Sequence, residues 1–238
     1  MRIIFLNCWF GKIGKLYFNF IKKEAPKTDI FCFMEVTPDL HGQLSKILKE
    51  FESVYDKGTL LKEIGTMCGQ AVFASKKIKL ITSGKIQIYP QLKNDMGFMQ
   101  YLKLQSSNGE FWLGNVHGKA IPGTKIDTPV RIKQSEKIIN FFKNKNGLKI
   151  VGGDFNLNPD TQSIKMFEKA GYRNLVREFK IKATRNKISW KQFQNEPGFV
   201  KQYFADYVFV SSDVKVISFK VPYMEISNHL PQILECEL

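Results

Sequence analysis

In five places along this chain a polar residue that can do chemistry stands at the end of an apolar run. Asn7 ends RIIFLN, and Glu35 closes IFCFME. His117 follows the apolar stretch in GNVHGK, and Asp154 and Asn156 lie in IVGGDFNLNPD. The fifth place is split between Asp206, which opens the apolar run of FADYVFV, and His229 in ISNHLPQ. Loops at the ends of strands are where a rigid scaffold presents reactive groups. A carboxylate after five apolar residues is costly to bury alone, and a hard cation such as Mg²⁺ would compensate it. Asp154 and Asn156 are two apart, so on extended chain they share a side. That sets an acceptor-only carboxylate beside an amide able to donate to a phosphate oxygen. A buried carboxylate such as Asp206 can hold an imidazole such as that of His229 in one tautomer.

Each residue also has a plain structural reading. A strand-terminal Asn is ordinarily a turn former, Glu35 could sit at a solvated strand end, and either histidine could be a satisfied core residue. His41, in a polar helix start, reads as a solvated surface residue.

The ordered set narrows these alternatives. LNCW, FMEV, NVHG, GGDFNLNPD, FADYVFV and SNHLP follow one another from residue 7 to residue 232. Together they resemble the endonuclease/exonuclease/phosphatase superfamily, whose members include deoxyribonucleases, abasic-site endonucleases, tyrosyl-DNA phosphodiesterases and inositol polyphosphate phosphatases. The resemblance implies a Mg²⁺-dependent phosphoesterase, with Mn²⁺ as a substitute. It implies Glu35 as the principal metal ligand with Asn7 beside it, and Asp154 as the group that orients or deprotonates the attacking water. Asn156 would hold the scissile phosphate, His229 would bond a phosphoryl oxygen with Asp206 orienting it, and His117 would lie across the phosphate. One position departs from the family pattern: Asn228 stands where Ser-Asp-His would place a second carboxylate, which implies weaker metal binding.

The elements that must position these residues can be read from periodicity. Strands are expected at 2–8, 29–36, 148–153, 206–211, 214–220 and 231–237, with several short strands between 53 and 117. Helices are expected over 13–24 and 39–51, after a cap at Asp127 or Thr128 with Pro129 in the first turn, and from Thr161 to about Lys169. Strand after strand in the middle third fits two packed sheets with helices outside. The expected fold is thus α+β: a four-layer α/β sandwich of two mixed β-sheets flanked by helices, in one domain spanning 1–238.

Composition bounds the partners. The net charge of +14 favours polyanions, nucleic acid above all. Yet only five of the 36 basic residues are arginine, the side chain preferred for bidentate phosphate contacts, so A/T-rich codon drift could give the same excess. Residues 180–191 (KIKATRNKISWK) hold five basic residues, including Arg185, around Trp190. Trp190 could stack on a base while the charges follow the backbone, or could simply pack inward. Asn228, Arg185 and Trp190 are accordingly the expected substrate contacts. A small phosphorylated metabolite, an inositol phosphate, or a nucleic-acid-binding pseudoenzyme are the alternatives. No apolar run reaches the roughly 20 residues that would span a bilayer, and the N-terminus reads as a strand rather than a signal peptide. Four cysteines without C-x-x-C spacing give no zinc signature; Cys8 and Cys32, in apolar runs, read as core thiols, and the setting as reducing and cytoplasmic. The sequence offers no heptad or repeat that would specify a protein partner, so a monomer is expected.

Overall fold

The computed structural model describes residues 1–62, 65–90, 96–121, 124–191, 194–196 and 198–238. Twelve strands are described: β1 (Arg2–Asn7), β2 (Ile30–Val36), β3 (Phe51–Leu61), β4 (Thr66–Ser75), β5 (Lys79–Ile86), β6 (Met99–Ser106), β7 (Gly109–His117), β8 (Leu148–Asp154), β9 (Tyr172–Asn174), β10 (Asp206–Ser211), β11 (Lys215–Lys220) and β12 (Gln232–Glu237). The α-helices are α1 (Lys15–Glu24), α2 (Pro38–Ile47), α3 (Pro129–Lys143), α4 (Gln162–Lys169) and two single turns, α5 (Leu175–Glu178) and α6 (Ile188–Lys191).

The strands form two six-stranded sheets, ordered β11-β12-β1-β2-β4-β3 and β5-β6-β7-β8-β10-β9. Each sheet holds one parallel pair at its centre, β1 with β2 and β7 with β8; the other pairings are antiparallel. The central strands read as continuous apolar runs because both their faces are covered. Ile3 and Phe5 of β1 point into the core shared with the second sheet, among Leu113, Val151 and Tyr207. Ile4 and Leu6 face the other way, onto Tyr17, Phe20 and Ile21 of α1 and Leu40 and Leu44 of α2. On the far side Ile138 and Phe142 of α3 close the second sheet. The result is the expected sandwich of helices, sheet, sheet and helices.

Strand β8 is crowded where the sequence has Gly152 and Gly153. A Cβ on Gly152 would come within 2.8 Å of the Phe5 ring. On Gly153, at φ +130°, it would meet the Val116 carbonyl oxygen at 2.2 Å. These two glycines let β8 lie against both its neighbour strand and the opposite sheet.

Two expectations need correction. The second helix ends at Ile47, and Phe51 starts β3 instead of completing a helical face. Leu48, the C-cap, is buried against the core and ends the apolar stripe. His41 is half-buried and stacked on Tyr55, with ring centroids 4.6 Å apart, so it packs on the sheet and is not a solvated residue.

Candidate active site

Strand direction gathers the reactive residues. Because β1 and β2 run parallel, Asn7 and Glu35 emerge at one edge of their sheet. Strand β12 runs antiparallel to β1, with Gln232 opposite Phe5, so His229 just before it arrives at that same edge. In the second sheet β7 and β8 are parallel, and His117 pairs with Asp154. Strand β10 runs back against β8, which pairs Asp206 with Asp154. Six side chains from both sheets therefore face one another across the end of the sandwich.

Local backbone irregularity aims two of them. The register between β2 and β4 shifts between Met34 and Val36, so Glu35 is the extra residue of a β-bulge, with φ +58°. A bulge turns the extra side chain out of the sheet's alternation. Asn156 also has φ +58°. Its amide and that of Phe155 both donate to the Ala205 carbonyl, which ties the loop after β8 to the start of β10. Non-glycine residues in the left-handed region cost about 1–3 kcal/mol each and persist where surrounding structure enforces them.

The polar network is nearly dry. Asn7 Nδ2 donates to Glu35 Oε1 at 3.0 Å and to Asp154 Oδ2 at 3.1 Å, joining the two sheets. The Asn7 carbonyl is held by the Ser227 hydroxyl at 2.6 Å. Asp154 Oδ1 accepts from the Asn156 amide at 2.9 Å. His229 Nδ1 lies 2.9 and 3.0 Å from the two Asp206 oxygens, and its Nε2 lies 3.8 Å from Asp154 Oδ2. Thr184 Oγ1 accepts from the Ala205 and Asp206 amides and fixes where β10 begins. His117 Nε2 stands 3.7 Å from Glu35 Oε1 and 3.9 Å from Asp154 Oδ2. Its Nδ1 is buried and has no hydrogen-bond partner among the described residues.

Charge explains the protonation states. Burial works against ionisation of Asp154, but the charges of His229, Lys125 and His117 and the Asn7 N–H outweigh it and hold the carboxyl below its ordinary range. Burial also works against a charged His229, yet Asp206 and Asp154 raise the imidazole above its usual value. Burial pushes Asp206 up, reinforced by the Asp154 charge. The Asp206–His229 pair therefore keeps its proton on the imidazole side, with Nδ1–H donating to the carboxylate.

Asp154, Asp206 and His229 each place a ligand atom within 4.8 Å of the others and could hold a metal ion. The donor chemistry fits a hard divalent cation: carboxylate oxygens, with the Glu35 side chain, 12% exposed, on the open side and the buried Asn7 amide beside it. His229 Nδ1 is already committed to Asp206, so Asp154 and Glu35 are the carboxylates with oxygen to spare.

The remaining expected contacts are less uniform. Arg185 forms a β-bridge with His229, and its charge is felt by Asp154, Asp206 and Glu35. Asn228 is half-buried; its Oδ1 accepts from the Ser227 hydroxyl at 3.2 Å, and its carbonyl accepts from Ser189. Trp190 is half-buried and meets Tyr203 edge-on, with ring centroids 5.3 Å apart. Lys187, from the same basic segment, is ion-paired with Glu225 at 2.9 Å. Sequence reading missed Lys125, which is only 7% exposed and whose Nζ donates to Asn156 Oδ1 at 2.5 Å. Burial pushes its pKa down to about 8. Its segment, GTKID, carries no motif that would have marked it. Thr184 was missed for the same reason, while Ser227 lies within the SNHLP motif but was given no role.

Comparisons with known proteins agree with this fold and give the family. A family model described as Endonuclease/Exonuclease/phosphatase family matches residues 5–229. No curated protein matches the chain significantly. Among solved structures, the human Nocturnin catalytic domain is similar over 100% of this chain and 93% of its own, at 18% identity and a TM-score of 0.75. A humanized D. rerio TDP2 is similar over 100% and 99%, at 16% identity and a TM-score of 0.78. A mannosyl-6-phosphatase of Bacteroides thetaiotaomicron is similar over the whole of both chains, at 17% identity and a TM-score of 0.74.

Proposed function

The chain belongs to the Endonuclease/Exonuclease/phosphatase family, and from that premise we propose that it hydrolyses a phosphodiester in nucleic acid with the help of Mg²⁺. The observation that carries the reading is the Asn7 amide bridging Glu35 and Asp154 across the two sheets, beside the Asp206–His229 pair. Glu35 and Asp154 would hold the cation, which when bound would neutralise phosphate charge, and the Asn7 Nδ2 group, which donates to both, orients the two carboxylates.

The chain's own residues divide the rest of the work. Asp154 is held ionised below its ordinary range, so it orients the attacking water better than it removes the proton. Asn156 donates to a non-bridging phosphate oxygen. His229, kept protonated by Asp206, donates from Nε2 to another and offsets the charge that grows in the transition state. His117 has one nitrogen near Glu35 and Asp154 and stands over the same space. The net charge of +14 supports nucleic acid as the substrate class. A phosphorylated sugar is the second reading, favoured by a structural similarity to a mannosyl-6-phosphatase that equals the similarity to Nocturnin.

A substrate panel tests the choice. DNA and RNA oligonucleotides and mannose 6-phosphate are each incubated with Mg²⁺, at two salt concentrations. Oligonucleotide cleavage that falls steeply with salt is expected, because lysine–phosphate contacts release counterions. Faster release of phosphate from the sugar, insensitive to salt, would replace the nucleic-acid reading with the second one.

A further inference from the structure

Lys125 is a buried cation without an ion pair among the described residues, and it is placed with care. Arg131 of α3, itself fully buried, spends its guanidinium on the chain that carries Lys125. It donates to the carbonyls of Lys119 at 3.2 Å, Thr124 at 2.9 Å and Ile126 at 2.8 Å. Asp127 pins the other side by accepting from the amides of Gln162 and Ser163 at the start of α4. The Lys125 carbonyl accepts from the Asn158 amide at 2.8 Å. Between these anchors the side chain reaches the Asn156 amide.

That contact has a chemical consequence. An ammonium group can only donate, so the oxygen of the Asn156 amide must face Lys125. The nitrogen then faces the other way, and one of its N–H groups donates to the Gly118 carbonyl at 3.2 Å. The second N–H is left for a ligand. Lys125 has further N–H donors with no protein acceptor among the described residues. Asp154 attracts the ammonium without bonding to it, while Arg185, whose buried Nε has no partner among the described residues, and Arg131 repel it. Burying an ammonium with donors unused is costly unless an anion completes the site.

We propose that Lys125 is a phosphate-binding residue of this site, donating to a non-bridging oxygen of the substrate phosphate while it sets the orientation of the Asn156 amide. The proposal rests on the phosphoesterase reading, and its test separates the two. Lys125→Met removes the charge at nearly constant volume, Lys125→Gln keeps a donor for Asn156 without the charge, and Lys125→Arg keeps both. Binding of inorganic phosphate is measured by titration of the intact protein with and without Mg²⁺, and KM and kcat are measured on bis-p-nitrophenyl phosphate. Loss of one charge-assisted hydrogen bond corresponds to about a tenfold to hundredfold weaker phosphate binding. The Met and Gln variants are expected to show that loss, with KM rising by a similar factor, and Arg is expected to recover most of it. Melting curves identify any variant that fails to fold, and the Gln variant then stands in for Met. Phosphate binding and KM that match the wild type in folded Met and Gln variants would overturn the proposal. A wild type that binds phosphate through Lys125 yet hydrolyses no ester would support this assignment and overturn the phosphoesterase reading.

Discussion

The two sheets furnish the site in different ways. The second sheet presents His117, Asp154 and Asp206 in direct cross-strand register, from regular strands, with both carboxylates buried. The first sheet presents Asn7 at a strand end, Glu35 from a bulge and His229 from a loop. It also holds the carboxylate with the greater exposure. Register makes the second sheet a fixed, dry frame of charge. Irregularity gives the first sheet one partly exposed carboxylate, Glu35, within reach of a cation arriving from solvent, while Asn7 and His229 stay buried. The Asn7 amide, bonded to a carboxylate of each sheet, is where the two meet.

Breaking the frame is expected to have the largest effect. Asp154→Asn leaves His229 and Lys125 without their shared anion, and catalysis should fall by about 10³-fold or more, a loss of the size seen for essential acid–base groups. Steady-state kinetics with saturating Mg²⁺ checks this, and added metal should not rescue it. On the open side, Glu35→Gln is expected to lower activity by about 10²-fold at limiting Mg²⁺. Raising the metal concentration should restore part of it, which a metal titration of the rate would show.

The pH profile sharpens the role of Asp206. His229 is raised above its ordinary value by Asp206 and Asp154, so its charged form persists to higher pH, and activity that needs it falls as pH rises through that raised value. Asp206→Asn removes one of the two anions, and the falling limb should move to lower pH. A limb that stays in place would assign the proton elsewhere. A smaller effect concerns the frame's stability: Gly153→Ala forces a Cβ against Val116 O in a backbone conformation strained for alanine, costing about 1–3 kcal/mol in thermal unfolding. The smallest concerns Asn228. Asn228→Asp is expected to tighten Mg²⁺ binding a few-fold, and no change would mean that this half-buried side chain does not face the cation.

The central strands of both sheets are legible in the sequence. The apolar runs of β1, β2 and β8 end on Asn7, Glu35 and Asp154, that of β10 opens on Asp206, and the ordered motifs point to the same residues. Parallel and antiparallel pairing then brings them together, a step that strand propensity alone does not supply. The bulge at Glu35 was hidden, because an extra residue is defined only against the partner strand. The short elements β9, α5 and α6 were hidden too; three or four residues carry no period. Phe51 was misread because a strand following a helix closely can continue its apolar spacing by chance. Lys125 lay beyond reach for a different reason: its meaning depends on Arg131 and Asp127, which hold a loop that no local pattern describes.

The most direct test of the account is hydrolysis of bis-p-nitrophenyl phosphate and a labelled oligonucleotide by the wild type, Glu35→Ala and His229→Ala, with Mg²⁺ or with EDTA. The account expects Mg²⁺-dependent cleavage by the wild type, loss in EDTA and loss in both variants, one from each kind of support the first sheet provides. Cleavage that survives EDTA, or that persists undiminished in either variant, would contradict it.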